Sequence, residues 1–174
     1  MRKLTIVIIF CLGSFSLFAQ ANGMVRTALT QFESQYPQYR GKAVLTGGNG
    51  ERTWQQQMEF CLTRPGSYPY IQNRFTQQFG VTLPASSSQM TAEMLRWWER
   101  EIMAQAGNPD GFAHVGGKAQ DIYVANLDVQ GKEYLQGFLT RNGLRILREI
   151  PPAYDGRPNP ISMGAATVFH CYIP

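Results

Sequence analysis

The chain has 174 residues, with 16 lysines and arginines against 12 aspartates and glutamates, so its net charge near neutral pH is +4. This basic excess is small, and no Lys/Arg block interleaved with aromatic residues accompanies it, so nothing in the composition favours nucleic acid as a partner. The length suits one domain that buries a sizeable core.

The first 21 residues have the pattern of a secretory signal peptide. Residues 1–3 are Met-Arg-Lys, residues 4–18 form an apolar run, and residues 19–21 read Ala-Gln-Ala, a small-residue cleavage pattern. The run is shorter than the roughly 20 residues of a membrane span, although an uncleaved anchor is the alternative. We therefore expect cleavage after Ala21 and a periplasmic or secreted protein with no stable membrane span.

Removing 21 of the 174 residues leaves 153, which we predict to form a single domain over residues 22–174. Because Arg2 and Lys3 leave with the signal peptide, the net charge of that domain falls from +4 to +2. A weak positive charge is compatible with an anionic cell wall but does not by itself indicate one.

The first half of the predicted domain is mainly helical. Apolar residues recur at helical spacing in four segments, and Thr91 or Ser88 is a candidate N-cap for the last of them. The predicted helices are 24–35, 52–62, 70–79 and a segment that carries Met94 to Met103, and a short strand is predicted at 43–46. Trp97 and Trp98 are adjacent, so we expect one to face the core and the other to lie on the helix flank.

The second half of the chain changes to short apolar strands. Strands are predicted at 121–125, 144–150 and 167–173, and a helix between the first two is closed by Asn142-Gly143. The segment 151–164 is rich in Pro, Gly and Asn and is predicted to be a loop. Helices followed by strands indicate an α+β domain with an antiparallel sheet that helices cover on one side.

Two cysteines remain after the signal peptide, Cys61 and Cys171. Export would place them in an oxidising compartment, where such a pair can close a disulfide. We predict this disulfide, with two buried free thiols as the alternative.

The chain has only two histidines, His114 and His170, and each lies in or beside a predicted strand. A glycine turn separates His114 from Asp121, so that its imidazole and the carboxylate can converge. Two histidines and one carboxylate are a common catalytic zinc set that leaves one position for water. The alternative is that the histidines are packed structural residues and hold no metal.

The segment His114-Val-Gly-Gly-Lys-Ala-Gln-Asp121-Ile contains His-x-x-Gly-x-Ala-x-Asp-Ile. This pattern resembles the zinc signature of the D-alanyl-D-alanine carboxypeptidase and L-alanoyl-D-glutamate endopeptidase family, which includes endolysins. The resemblance implies that His114 and Asp121 bind Zn²⁺, that Gly117 makes the turn and that Ala119 packs beneath it. It also implies a third ligand on a late strand, for which His170 is the only histidine left.

A second element of the same family is Gly-x-Arg-[Ser/Thr] followed by a glutamine. Here it corresponds to Gly50-Glu-Arg52-Thr53, with Gln57 four residues further on. The resemblance implies that Arg52 and Gln57 bind substrate, and Arg52 would hold a substrate carboxylate or stabilise the developing oxyanion. The two elements and His170 occur in the family's order and cover roughly residues 43–173.

The catalytic carboxylate of the family is not at its usual positions. Members carry Glu three residues before the last zinc histidine or Asp two residues after it, and here those positions are Thr167 and Tyr172. A threonine cannot serve as a carboxylate base near neutral pH. Glu149 or Asp155 would then have to supply the base, although a solvated charge at a strand end is the simpler interpretation of Glu149.

The resemblance and the signal peptide together imply a zinc-dependent peptidoglycan peptidase acting on stem or cross-bridge peptides with D-amino acids. The alternative is a catalytically impaired relative that binds muropeptides or inhibits a protein partner in the periplasm. A third alternative is a secreted domain without a metal.

Overall fold

The structure is a computed structural model that describes residues 21–46, 51–64, 68–108, 111–150 and 161–174. The predicted signal peptide lies outside the described residues except for Ala21, as do Gly50, Asp155 and most of the predicted loop at 151–164. Ala21 is fully buried, and its backbone N–H donates to the carbonyl of Gly117 over 2.9 Å.

The described chain has five α-helices and four β-strands, and the predicted α+β class is confirmed. The helices are α1 (Ala21–Gln35), α2 (Trp54–Thr63), α3 (Pro69–Phe79), α4 (Ala92–Met103) and α5 (Val129–Arg141). The strands are β1 (Val44–Thr46), β2 (Ala119–Tyr123), β3 (Arg145–Glu149) and β4 (Val168–Tyr172). Within these described ranges no helix is both long and apolar enough to span a membrane.

Short polar side chains determine where three of the helices begin. Thr53 caps α2, Thr91 caps α4 and Asp128 caps α5, each accepting a hydrogen bond from a backbone N–H of the first helical turn. Of the two caps predicted for α4, Thr91 is therefore the one used. Each cap stabilises its helix by about 1 kcal/mol.

The four strands form one antiparallel sheet in the order β1-β2-β4-β3. Side chains alternate between the two faces of a sheet, and directly opposite residues share a face. His170 of β4 lies opposite Asp121 of β2 on one side and opposite Leu147 of β3 on the other. These three side chains therefore point to the same face, and the alternate residues point to the other.

Helices α1 and α5 cover the second face of the sheet, as predicted. The strand residues Ile122, Phe169 and Cys171 are fully buried there and belong to one hydrophobic cluster. The helices contribute the other large members of that cluster, which include Val25, Phe32, Leu135, Phe138 and Leu139.

Helices α2, α3 and α4 form a second hydrophobic cluster, so the helices are not all on one layer. Its fully buried members include Met58, Ile71, Phe75, Trp98 and Ile102. Phe112 and Val115, which precede β2, join the same cluster. The segment 112–115 therefore connects the second cluster to the sheet.

The expectation that only one of the adjacent tryptophans faces inward is wrong, since Trp97 is 4% exposed and Trp98 0%. Consecutive helical residues project about 100° apart, so both are covered when the packing surface is wide enough. Phe75 of α3 provides that surface, with ring centroids 5.5 Å from Trp97 and 5.8 Å from Trp98. Phe79 covers Trp97 as well.

The predicted disulfide is also corrected, because Cys61 and Cys171 are both buried free thiols. Cys171 belongs to the cluster between the sheet and helices α1 and α5, whereas Cys61 belongs to the cluster of α2, α3 and α4. The two thiols are thus packed in different hydrophobic clusters, and burial raises the pKa of both. The alternative of two buried thiols describes this structure.

Candidate metal centre

The structure brings His114, Asp121 and His170 together, as the sequence predicted. Asp121 and His170 are direct partners across β2 and β4, which places both side chains on the face of the sheet that α1 and α5 leave uncovered. His114 reaches the same point from the segment ahead of β2. Two strands and one turn therefore build the cluster.

A glycine turn positions His114. Gly116 and Gly117 have φ angles of 91° and 73°, in the left-handed region that glycine adopts without a steric penalty. The N–H of Gly117 donates to the carbonyl of His114, and the N–H of Lys118 donates to Ala113. The turn folds the chain back, so that His114 lies over Asp121 seven residues later.

The donor atoms of the cluster are close enough to share one ion. His170 Nδ1 lies 2.8 Å from Asp121 Oδ1, and His114 Nε2 lies 3.4 Å from Asp121 Oδ2. The candidate ligand atoms of all three residues lie within 4.8 Å of one another. The two imidazole rings meet at an angle of 64° with centroids 5.0 Å apart.

The carboxylate of Asp121 is anionic in this environment. Burial acts to raise its pKa, but hydrogen bonds and charge interactions with His114 and His170 outweigh the burial and hold the pKa well below its usual range. His114 is buried, while Asp121 and His170 remain partly exposed. The cluster is therefore an anionic carboxylate between two imidazole rings, with each oxygen facing one ring, and it is partly exposed to solvent.

This donor set fits a divalent transition metal. Two imidazole nitrogens and one carboxylate oxygen match the ligands of zinc, and the exposed side leaves a position for water or substrate.

Arg52 is tied to this cluster through its backbone. Its N–H donates to the carbonyl of His114 over 3.0 Å, and Arg52 forms an isolated bridge with Val115. The two segments singled out in the sequence, one with Arg52 and the other with His114, are thus adjacent in space.

Gln57 lies on α2 and orients the guanidinium of Arg52. Arg52 Nη1 donates to Gln57 Oε1 over 3.2 Å, and the amide nitrogen of Gln57 contacts the Cys61 sulfur at 3.7 Å. Gln57 is 1% exposed. Its amide is therefore occupied on both sides, and its contact with substrate would run through Arg52.

Glu149 lies on the same sheet face as the cluster. It pairs with Val168, two residues from His170, and its strand lies beside β4. Burial raises the pKa of Glu149 to about 6, while the nearby charges of His170 and Arg52 lower it and that of Asp121 raises it. Glu149 is partly exposed, and its carboxylate lies close enough to the cluster and to Arg52 for their charges to act on its pKa.

Thr167 has a structural contact instead of an acid–base role. Its N–H and its hydroxyl both donate to the backbone carbonyl of Glu149, over 2.9 and 3.4 Å. Thr167 therefore links the ends of β3 and β4.

Sequence reasoning missed Leu147 and did not foresee that Tyr172 lies beside the cluster. Leu147 lies opposite His170 on β3 and is 44% exposed, and the Tyr172 ring centroid lies 5.9 Å from that of His170. Strand alternation alone could have placed Tyr172 on the face of His170. Leu147 required the register between β3 and β4, which no pattern in the sequence specifies.

No family model matches the chain, and neither a curated protein nor a solved structure matches it. The function is therefore inferred from the residues of the cluster and their surroundings.

Proposed function

We propose that this protein is a secreted zinc-dependent peptidase of the D-alanyl-D-alanine carboxypeptidase and L-alanoyl-D-glutamate endopeptidase type, acting on D-amino-acid peptides of peptidoglycan. The observation that carries the proposal is the convergence of His114, Asp121 and His170 on one point of an open sheet face. The proximity of Arg52 to His114, with the order of both elements in the sequence, supports it. The proposed periplasmic location rests on the signal-like residues 1–21.

Zinc held by the two histidines and Asp121 would supply a Lewis acid that polarises the scissile carbonyl and makes a water molecule acidic. Arg52, oriented by Gln57, binds a substrate carboxylate or the developing oxyanion, because its planar guanidinium presents paired N–H donors. Glu149 accepts a proton from water and passes it to the leaving amine. A pKa of about 6 leaves most of its carboxylate ionised at pH 7 yet basic enough for this exchange.

The test is turnover of purified muropeptides, followed by chromatography and mass spectrometry. We expect cleavage by the zinc-loaded protein, loss of cleavage after chelation and recovery when zinc is returned. Loss of cleavage in His114→Ala would link the activity to the cluster. A zinc-loaded, folded protein that cleaves no muropeptide would overturn the assignment as a peptidase.

A second candidate function is muropeptide binding without cleavage. It is favoured by Thr167 and Tyr172, which occupy the positions where the resembling family carries its catalytic acids. Glu149→Gln separates the two functions. If Glu149 is the base, this variant should bind muropeptides normally and cleave them at least about a hundredfold more slowly. If the wild type binds without turnover, the binding function is correct.

A further inference from the structure

We infer that Tyr172 is a further catalytic residue, whose phenol hydroxyl donates a hydrogen bond to the oxygen of the scissile carbonyl as that oxygen gains negative charge. This inference rests on the proposed function, because it places the scissile peptide bond at the cluster of His114, Asp121 and His170. It gives the hydroxyl of Tyr172 a partner in the substrate.

Tyr172 lies beside the cluster on the open face of the sheet. It follows His170 by two residues in β4, so the two side chains point to the same face. Their ring centroids are 5.9 Å apart, and the ring planes meet at 34°. Both residues are partly exposed. A ligand bound at the cluster therefore has the phenol group of Tyr172 as an immediate neighbour.

The hydroxyl of Tyr172 has no hydrogen-bond partner within the described ranges. Other tyrosine hydroxyls in this part of the chain are engaged. That of Tyr39 donates to Asp128, and that of Tyr134 accepts a hydrogen bond from Gln130. A phenol is a donor as well as an acceptor, and a partly buried one usually has a partner. The Tyr172 hydroxyl is therefore free to donate to a bound substrate.

Tyr172 and Glu149 lie on opposite sides of His170 along β4. Glu149 pairs with Val168, which precedes His170 by two residues, whereas Tyr172 follows His170 by two. Val168 and Tyr172 are thus about 13 Å apart along the strand, with His170 midway between them. The proposed base and the phenol therefore approach a substrate at the cluster from different directions.

This separation suits two roles that peptide hydrolysis requires. Water adds to the carbonyl carbon, and the carbonyl oxygen takes up negative charge at a different position from the oxygen of the water. Glu149, as the proposed base, accepts the proton of the water and passes it to the leaving amine. A donor on the other side of His170 stabilises the carbonyl oxygen without competing for that water. The hydroxyl of Tyr172 keeps its own proton throughout.

Tyr172→Phe tests the inference, because it removes the hydroxyl and keeps the ring against His170. On the full, zinc-loaded protein, kcat for a purified pentapeptide muropeptide should fall about a hundredfold, the usual effect of losing one donor to a developing oxyanion. KM should change less than about threefold, since the contact strengthens only during the reaction. The zinc content and the midpoint of urea denaturation should not change.

Ligand binding supplies a test that does not depend on turnover. A phosphinate analogue of D-alanyl-D-alanine has a tetrahedral phosphorus with negatively charged oxygens, which the planar substrate acquires only during the reaction. Titration calorimetry should show that Tyr172→Phe binds this analogue at least about tenfold more weakly than the wild type. In the Glu149→Gln background, adding Tyr172→Phe should change the affinity for uncleaved muropeptide less than about twofold.

Tyr123→Phe is the matched control. Tyr123 also lies on the open face, two residues after Asp121, and is 40% exposed. It pairs with Val168 and so belongs to the row of side chains that contains Glu149, not to the row of Tyr172. This variant should keep the kcat of the wild type and its affinity for the phosphinate analogue.

An unchanged kcat or an unchanged affinity for the analogue in Tyr172→Phe would overturn the inference, as would equal losses in Tyr123→Phe. In an active wild type, that result leaves the peptidase assignment intact. A wild type that binds the analogue through the Tyr172 hydroxyl but cleaves no muropeptide retains the donor and loses the assignment. A zinc-loaded wild type that neither binds the analogue nor cleaves muropeptide would overturn both.

Discussion

The two faces of the sheet use the same strands for different purposes. On the covered face, Ile122, Phe169 and Cys171 are fully buried against α1 and α5. On the open face, their sequence neighbours Asp121 and His170 are polar and partly exposed. One face therefore stabilises the fold, while the other carries ionisable groups that are held in place by the strands and are not needed for their packing.

The largest effect on stability is expected on the covered face. Phe169→Ala removes a fully buried ring between the sheet and two helices, and should lower the free energy of unfolding by about 3 to 5 kcal/mol. Leu147→Ala is the control on the open face, where 44% of the residue is already exposed, and should cost less than about 1 kcal/mol. Urea denaturation measures both. Similar losses in the two variants would contradict the division between the faces.

On the open side of the molecule, the largest effect is expected on function. Arg52→Ala should lower the free energy of unfolding by about 1 to 3 kcal/mol and leave the protein folded, because it removes a charge-assisted hydrogen bond and leaves the buried Gln57 Oε1 without its donor. It should weaken muropeptide cleavage or binding by about 2 to 3 kcal/mol, the value of a charged contact.

Arg52→Lys keeps the charge but should restore little, since an ammonium group lacks the two-pronged geometry. Cleavage and binding assays on wild type and both variants make the comparison. Unchanged cleavage in Arg52→Ala would remove Arg52 from the site.

A smaller, pH-dependent effect is expected at Glu149. The pKa of Glu149 is about 6 in the folded protein, against an ordinary value of 4.5. Between these pH values the carboxyl group is mostly ionised in the unfolded chain but still mostly protonated in the folded protein. A rise in pH through this range therefore lowers the free energy of unfolding. Glu149→Gln has no such loss. In chelator-treated protein, the variant should gain about 1 to 2 kcal/mol relative to the wild type between pH 4.5 and pH 7. Denaturation curves at both pH values measure this gain, and parallel pH dependences of the two proteins would contradict a raised pKa at Glu149.

The same division explains what the sequence could predict. Apolar periodicity located each α-helix and strand of the described residues, because these elements bury regular apolar stripes, but it did not give the start of α5 at Val129. The separate cluster of α2, α3 and α4 was not foreseen, since periodicity identifies a buried side of a helix and not the surface that covers it. The predicted exposure of one tryptophan and the predicted disulfide were wrong for this reason. The contact of Phe75 with Trp97 and the separation of the two clusters both depend on tertiary packing.

The site could be predicted in part, because histidine is rare in this chain and a glycine turn separates one histidine from the aspartate. His114 and Asp121 could be paired because Gly116 and Gly117 reverse the chain between them, and His170 was the only other histidine. The arrangement around Glu149 could not be derived, because it depends on the register of β3 against β4.

The central claim is that His114, Asp121 and His170 bind one zinc ion. The most direct measurement is a crystal structure of protein grown with zinc, with anomalous diffraction data collected on both sides of the zinc absorption edge. We expect one strong anomalous peak, present only above the edge, within about 2.0 to 2.3 Å of a nitrogen of each histidine and an oxygen of Asp121. A well-ordered site with no peak among these three side chains, and with the Asp121–His170 hydrogen bond intact, would contradict the account.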